Sequence, residues 1–199
     1  MGRRTVAVVL MAATTLPCGA EVMRRAYVDR GDGVSFSYPA GWTLNGDDDA
    51  ATAKLRVALS SKAVAVVTLE GNFAGKGPYQ GTDFEAGAFS YGVSPAKTEA
   101  QCFAAVDQGA DATQRPVETT WNGGRAEKLE ATYSIAGAED SHQIVAAYRR
   151  GRCYLFETVI VSHSPDTADK PLAPMRWKWL RGEFESVMGS VRIAPWVGE

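Results

Sequence analysis

Four extended segments in the second half of the chain are separated by very short turn sequences, and this spacing strongly constrains the fold. The segments span residues 117–121, 125–135, 142–149 and 153–161, and the turns include Asn122-Gly123-Gly124 and Arg150-Gly151-Arg152. Parallel neighbours in a sheet need a connection of about a dozen residues or more, which these turns do not supply. The four segments are therefore predicted to form an antiparallel meander.

The second of these segments alternates apolar and polar residues, which predicts that the sheet has one buried face there. One face carries Leu129, Ala131, Tyr133 and Ile135, and the other carries Lys128, Glu130, Thr132 and Ser134. An antiparallel sheet of this kind packs one face on a core and leaves the other toward water.

Near the C-terminus apolar residues recur at steps of three and four instead of two, which predicts one amphipathic helix. It begins near Pro171 or Pro174 and ends at Gly189. Its apolar stripe is predicted to contain Leu172, Met175, Trp179, Leu180, Phe184, Val187 and Met188. Because a one-sided sheet and a striped helix cover each other, we expect this stripe, including Trp179, to lie on the sheet. Trp177 falls off the stripe and is the candidate exposed contact for a partner. Residues 191–193 are predicted to form a short closing strand.

The first half contains the stretch GVSFSYPAGWTL, residues 33–44, in which apolar residues alternate with serine before a Pro-Ala-Gly turn. Val34, Phe36, Tyr38 and Trp42 are accordingly predicted to be core residues rather than an exposed aromatic shelf. Further strands are expected at 54–60, 63–69 and 86–93. A short helix that contains Cys102 is expected at 99–107.

The first twenty residues resemble a secretory signal peptide. Arg3 and Arg4 carry its only charges, an uncharged run covers residues 5–16, and small residues lead to Ala20. Cleavage after Ala20 would leave residues 21–199 as a single exported domain, periplasmic or secreted. A lipid on Cys18, which would anchor the protein to a membrane, is the alternative, although Pro17 stands where a lipid-attachment motif has a small residue.

Cleavage would leave two cysteines, Cys102 and Cys153. An even number of cysteines in an exported domain favours a disulfide, and a closed loop of about 50 residues would stabilise the fold by about 4 kcal/mol in the chain-entropy model. The alternative is a catalytic cysteine assisted by His142 or His163, which requires a thiol that survives in an oxidising compartment.

The charge and the motifs exclude several classes of function. Removing Arg3 and Arg4 from the 21 basic side chains leaves 19 against 23 acidic ones, a formal net charge of −4, which argues against a nucleic-acid partner. We interpret Arg149, Arg150 and Arg152 as a hairpin tip kept soluble by charge. The histidines have no metal-ligand spacing, and no catalytic or cofactor motif is present, so we predict no metal site, cofactor or catalytic residue.

The segment GVSFSYPAGW resembles the opening strand and turn of the PsbP-like and Mog-like group, which includes many exported bacterial proteins of unknown role. The resemblance implies an α+β fold, an antiparallel sheet sandwiched by helices, with a last helix that leads into a short closing strand. A second likeness, to exported bacterial proteins, rests on Cys102 and on residues 81–84, 148–149 and 151–154. In those proteins the two cysteines form a structural pair.

Three classes of function follow from these patterns. The first is an exported, non-enzymatic binding or assembly module of the cell envelope with a protein partner, because no catalytic constellation is seen. The second is a small hydrolase-type enzyme with a cleft between sheet and helix. The third is a carrier of a small apolar ligand, which would need a closed apolar cavity.

Overall fold

A computed structural model describes residues 23–45, 63–70, 79–107, 114–135, 137–163 and 170–194. The predicted signal peptide with Cys18, and the predicted strand at 54–60, lie outside these described residues. Within them, ten strands and two helices are present. The strands are β1 Arg24–Asp29, β2 Val34–Pro39, β3 Thr43–Asn45, β4 Ala65–Glu70, β5 Phe84–Pro95, β6 Val117–Trp121, β7 Gly124–Ile135, β8 Ala138–Arg149, β9 Arg152–His163 and β10 Arg192–Ile193; the helices are α1 Glu99–Asp107 and α2 Pro174–Ser190.

Seven strands form the larger sheet in the order β3-β4-β5-β9-β8-β7-β6, and the predicted meander is confirmed as β6 to β9. All described pairs in it are antiparallel. The hairpins β6–β7 and β8–β9 turn through Asn122-Gly123 and Arg150-Gly151, whose four residues all have positive φ angles. Two such residues in a row match the twist of an antiparallel pair, which allows these turns to be so short.

The first corner builds a second sheet of three strands, β1-β2-β10. The prediction of a buried corner is confirmed, since Val34, Phe36, Tyr38 and Trp42 are all buried. Strand β1 was not expected, because its sequence RRAYVD lacks apolar alternation and its side chains are mostly exposed. An edge strand that is paired on one side only needs few buried side chains.

The main core lies between the large sheet on one side and both the small sheet and α2 on the other. Its centre is aromatic: the ring of Phe36 lies 4.9 Å from that of Phe89, and Tyr91 stacks on Phe156 at 5.9 Å. Helix α2 comes close to β5 because Gly87 has no side chain; a Cβ there would overlap the ring of Phe184. The described residues thus form an α+β fold of two antiparallel sheets and two helices.

Helix α1 covers the opposite face of the large sheet, on a smaller core that contains Phe103, Val106, Leu129 and Ile144. Thr98 caps the helix, because its Oγ1 accepts the N–H of Gln101 at 3.2 Å. The disulfide expected between Cys102 and Cys153 is present and joins α1 to β9, with 5.1 Å between the two Cα atoms.

The predicted helix at the C-terminus is confirmed as α2, but the face assigned to its tryptophans is wrong. The buried residues of α2 are Leu180, Phe184, Val187 and Met188, and Trp177 packs beside them. Met175 and Trp179, which the stripe was expected to bury, are exposed. Residues 177, 180, 184 and 187 also follow steps of three and four. The apolar spacing therefore fits two different faces of the helix, and the face that contains Trp177 is the one packed in the core.

Candidate functional site

The outward side of α2 is the candidate functional site. Because a helix turns 100° per residue, side chains nearly opposite the buried stripe share one side. We call this side the α2 outer face; it contains Met175, Lys178, Trp179, Gly182 and Ser186, all of them exposed.

Asp83 fixes which side of α2 faces outward. Its Oδ2 accepts the indole N–H of Trp177 at 3.1 Å, and its Oδ1 accepts the backbone N–H of Leu172 at 2.6 Å. The Trp177 ring also meets Phe84 edge to face at 5.8 Å. A buried carboxylate with these two donors holds the start of α2 on the loop before β5, so Trp177 turns inward and Trp179 turns outward.

The outer face carries two large apolar side chains in water. Met175 is 78% exposed and Trp179 is 40% exposed. Six large apolar side chains are exposed in the part of the chain that the structure describes, and these two are one helical turn apart. Scattered exposed apolar residues are ordinary, but neighbouring ones on a rigid helix indicate a contact surface.

Four cationic residues lie in the segment that contains this apolar pair, ahead of the acidic Glu183 and Glu185. Residues 170–182 include Lys170, Arg176, Lys178 and Arg181 and no acidic residue. The first turn of α2 likewise contains no acid, and no side chain caps it. Cations near a helix N-terminus oppose the helix dipole and cost about 0.3–1 kcal/mol each. The positive charge is therefore placed where it weakens the helix slightly, so helix stability does not account for it.

Gly182 lies next to this pair on the outer face. Glycine inside a helix costs about 0.5–1 kcal/mol relative to alanine. A Cβ built at Gly182 would meet no described atom within 4 Å, so packing inside the protein does not explain the residue.

A shallow groove of about 600 Å³ runs along one flank of the outer face. The guanidinium of Arg181 lies 5.7 Å from the centre of the Trp177 ring, and both side chains line the groove. The groove is lined by Pro174, Trp177, Lys178, Arg181, Gly182 and Glu185. Trp177 therefore contributes one edge to the surface while its indole N–H remains bonded to Asp83.

A second cleft, of about 360 Å³, lies between α2 and the large sheet, where a hydrolase-type site was the alternative. Glu130 is one of its carboxyl groups, and the Lys128 amine 2.6 Å away holds the pKa of that carboxyl below its usual range. A general acid at neutral pH needs a raised pKa instead. This carboxyl group is therefore suited to an ion pair rather than to proton transfer.

The buried pair His142 and Glu157 is the other arrangement with catalytic residue types. His142 Nδ1 lies 3.2 Å from Glu157 Oε1, the two residues are 3% and 0% exposed, and the ring of Tyr133 packs edge to face on the imidazole. A pair so deeply enclosed in the sheet is typical of a structural interaction. Among the described residues no group of three or more His, Cys, Asp or Glu is placed to hold a metal ion.

The structure separates the residues singled out in the sequence. Cys102 and Cys153 are bonded to each other under α1, on the sheet face opposite α2. Trp177, the predicted partner contact, lies mostly inward, and its contact with a partner stays a prediction. The spacing of apolar residues did not identify Trp179 as a surface residue. The basic residues beside it in the sequence, Lys178 and Arg181, were the available sign that this side of the helix faces water.

Comparison with known proteins finds similar structures but no matching sequence. No family model matches the sequence, and no curated protein is similar to it. The cyanobacterial PsbP of Synechocystis sp. PCC 6803 has a similar solution structure, with a TM-score of 0.49 at 16% identity over 92% of this chain and 99% of that one. A PsbP is thus among the similar structures.

Two other bacterial structures are similar at the same level. LpqN, described as involved in cell envelope biogenesis of Mycobacterium tuberculosis, has a TM-score of 0.48 at 11% identity over 87% of this chain and 91% of its own. PA94 of Pseudomonas aeruginosa, a putative regulator of unknown function, has a TM-score of 0.43 at 12% identity over 86% of this chain and 98% of its own. At these values the likeness concerns the arrangement of strands and helices alone.

Proposed function

We propose that this chain is an exported, non-enzymatic binding module of the cell envelope, and that it contacts an acidic protein partner through the α2 outer face. The observation that carries the proposal is the exposure of Trp179 and Met175 among cations on a helix that is rigidly held by Asp83 and Phe184. Aromatic residues, Met and Arg are enriched at protein interfaces, and Trp and Arg are frequent among the residues that dominate binding energy.

A protein partner fits this surface better than a lipid membrane. A helix that lies in a membrane surface buries a wide apolar face, whereas the apolar stripe of α2 is already buried on the sheet. Two apolar side chains inside a basic surface are instead suited to a pocket with an acidic rim. No described helix is long and apolar enough to cross a membrane.

The proposal of export rests on two features of the sequence and the structure. The leader has charged, apolar and small-residue regions in the order of a signal peptide. The disulfide between Cys102 and Cys153 is of a kind that persists in oxidising compartments and is rare in the bacterial cytosol. Both features favour a periplasmic or secreted protein.

Capture from the native envelope tests the proposal. Mature protein, residues 21–199, is immobilised, and the proteins it retains are quantified by mass spectrometry for wild type, Trp179→Ser and Val117→Ser. Val117 is a matched control because it is also an exposed apolar residue, 64% exposed, on strand β6. We expect one protein to be lost about ten-fold or more with Trp179→Ser and kept with Val117→Ser.

Two results would contradict the proposal. One is retention of the same proteins in equal amounts by wild type and Trp179→Ser. The other is binding of wild type to protein-free vesicles of anionic lipid that Trp179→Ser abolishes, which would make the surface a lipid-binding one.

A further inference from the structure

A second surface site lies at the end of the large sheet where two hairpin turns meet the C-terminal strand. This turn-end pocket has a volume of about 470 Å³. It is lined by Asn122, Arg149, Arg150, Arg152, Tyr154, Ile193 and Ala194. No carboxylate is among these lining residues, so the wall of the pocket combines cationic, aromatic and aliphatic groups.

Among the described residues, Arg149 is held by neutral groups only. Its guanidinium donates to the backbone oxygens of Tyr148 at 2.8 Å, Trp121 at 3.1 Å and Arg125 at 3.4 Å. No carboxylate within the described ranges pairs with it. Carbonyl oxygens orient a guanidinium without neutralising its charge, and a half-buried, oriented and uncompensated cation favours an anion nearby.

Gly124 makes room for this arrangement. A Cβ at Gly124 would overlap the guanidinium of Arg149, so the side chain lies directly over the backbone at the start of β7. The interpretation of the three arginines as a solvated hairpin tip is therefore wrong for Arg149. Its position depends on a glycine in the neighbouring hairpin, which is how a binding group is held in advance of its ligand.

Arg150 contributes a second observation that is independent of Arg149. Its φ angle is 47°, in the left-handed region that glycine and asparagine adopt readily. Other residues pay about 1–2 kcal/mol there. Asn122 holds the equivalent position in the β6–β7 turn, so an ordinary turn residue exists for this geometry. Strained positions of this kind concentrate at binding sites, and Arg150 places a cation on the wall of the pocket.

Arg152 and Tyr154 form the opposite wall. Arg152 is paired with the carboxylate of Asp32, and its guanidinium lies 5.9 Å from the centre of the Tyr154 ring. The Tyr154 hydroxyl donates to the backbone oxygen of Asp32 at 3.2 Å. Arg152 is thus paired with a described carboxylate, whereas the guanidinium of Arg149 has only carbonyl partners among the described residues.

We infer that the turn-end pocket binds an organic oxyanion, a phosphate or carboxylate group attached to a small apolar body. The anionic group is bound by the guanidinium of Arg149, whose planar fork matches two oxygens of either group. The apolar body lies against Ile193, Ala194 and the ring of Tyr154. The pocket shares no lining residue with the α2 outer face, so the inference is independent of the proposed function.

Calorimetric titration of the mature protein tests this inference with phenyl phosphate, benzoate, inorganic phosphate and uncharged benzyl alcohol as probes. We expect phenyl phosphate or benzoate to bind, inorganic phosphate to bind more weakly, and benzyl alcohol not to bind. Arg149→Gln should weaken binding of the anionic probe about ten-fold to a hundred-fold. Arg115→Gln is the control, since it removes an exposed arginine that does not line the pocket.

Gly124→Ala displaces the guanidinium of Arg149 without altering the net charge. It should therefore weaken binding of the same anionic probe. Thermal unfolding of each variant confirms that it is folded. The inference is overturned if wild type binds none of the anionic probes at millimolar concentration, if it binds benzyl alcohol as well as phenyl phosphate, or if folded Arg149→Gln and Arg115→Gln bind equally.

Discussion

At the scale of single residues, Trp177 and Trp179 differ because only one of them has a buried partner. The indole N–H of Trp177 reaches Asp83, and its ring reaches Phe84. Trp179 is two positions along, about 200° around the helix axis, and faces water. The spacing of apolar residues in the sequence fits either stripe, and it contains no information on where Asp83 will lie. For this reason the sequence led to the wrong prediction that Trp179 is buried and Trp177 exposed.

Replacing each tryptophan by alanine should therefore separate stability from binding. Trp177→Ala should lower the free energy of unfolding by about 3 kcal/mol, because it removes a packed ring and leaves the buried carboxylate of Asp83 with one donor fewer. Trp179→Ala should lower it by less than about 1 kcal/mol. Urea unfolding at neutral pH measures both, and equal losses would show that the inward and outward faces are not distinct.

The ionisation of Asp29 is coupled to the fold through hydrogen bonds that its carboxylate accepts. Burial acts against its charged form, but the Tyr91 hydroxyl at 2.7 Å and the backbone N–H groups of Asp32 and Gly31 outweigh this. The pKa of the Asp29 carboxyl is therefore lowered from its ordinary value of 3.8. Burial, with the neighbouring Tyr27 and Asp29, raises the pKa of Tyr91 and keeps its hydroxyl a donor.

A lowered pKa in the folded state means that Asp29 stabilises the fold at pH values above the ordinary one and loses this effect as the pH falls through the lowered pKa. Asp29→Asn should thus be less stable than wild type at about pH 6, and the difference should narrow as the pH falls below about 4. Urea unfolding of both proteins over a pH series provides the measurement. If the difference in the free energy of unfolding instead grows as the pH falls, the lowered pKa of Asp29 is contradicted.

At the scale of elements, the helices differ in how they are attached to the large sheet. Helix α2 packs through Phe184, which occupies the space left by Gly87, whereas α1 is bonded to β9 by Cys102–Cys153. Phe103 and Val106 add apolar contacts beneath α1. The separation of 51 residues between the cysteines makes the bond worth about 4 kcal/mol in the chain-entropy model.

Reduction of the disulfide should therefore make α1 open locally before the meander opens. Hydrogen exchange measured after reduction should rise first in residues 95–107, while β7, β8 and β9 stay protected by their interstrand hydrogen bonds. Titration of free thiols in the natively exported protein provides the matching check. Two reactive thiols there, or simultaneous exchange of α1 and the meander, would contradict the structural role of the bond.

At the scale of the whole molecule, the fold is more predictable than its surfaces. Turns such as Asn122-Gly123 and the alternation in β7 predict the meander because they act between neighbours in the sequence. Strand β1 escapes prediction because it is stabilised by pairing with β2 rather than by its own pattern. The turn-end pocket also escapes prediction, because Ile193 and Arg149 come to line one pocket only after both sheets have assembled.

Oxidative footprinting tests, without any substitution, whether the α2 outer face binds a partner. Met175 and Met23 are both 78% exposed, so hydroxyl radicals should oxidise them at similar rates in the free mature protein. With an envelope extract that contains the captured partner, we expect the oxidation of Met175 and Trp179 to fall several-fold while that of Met23 is unchanged. Equal protection of Met23 and Met175, or unchanged oxidation of both, would contradict the claim.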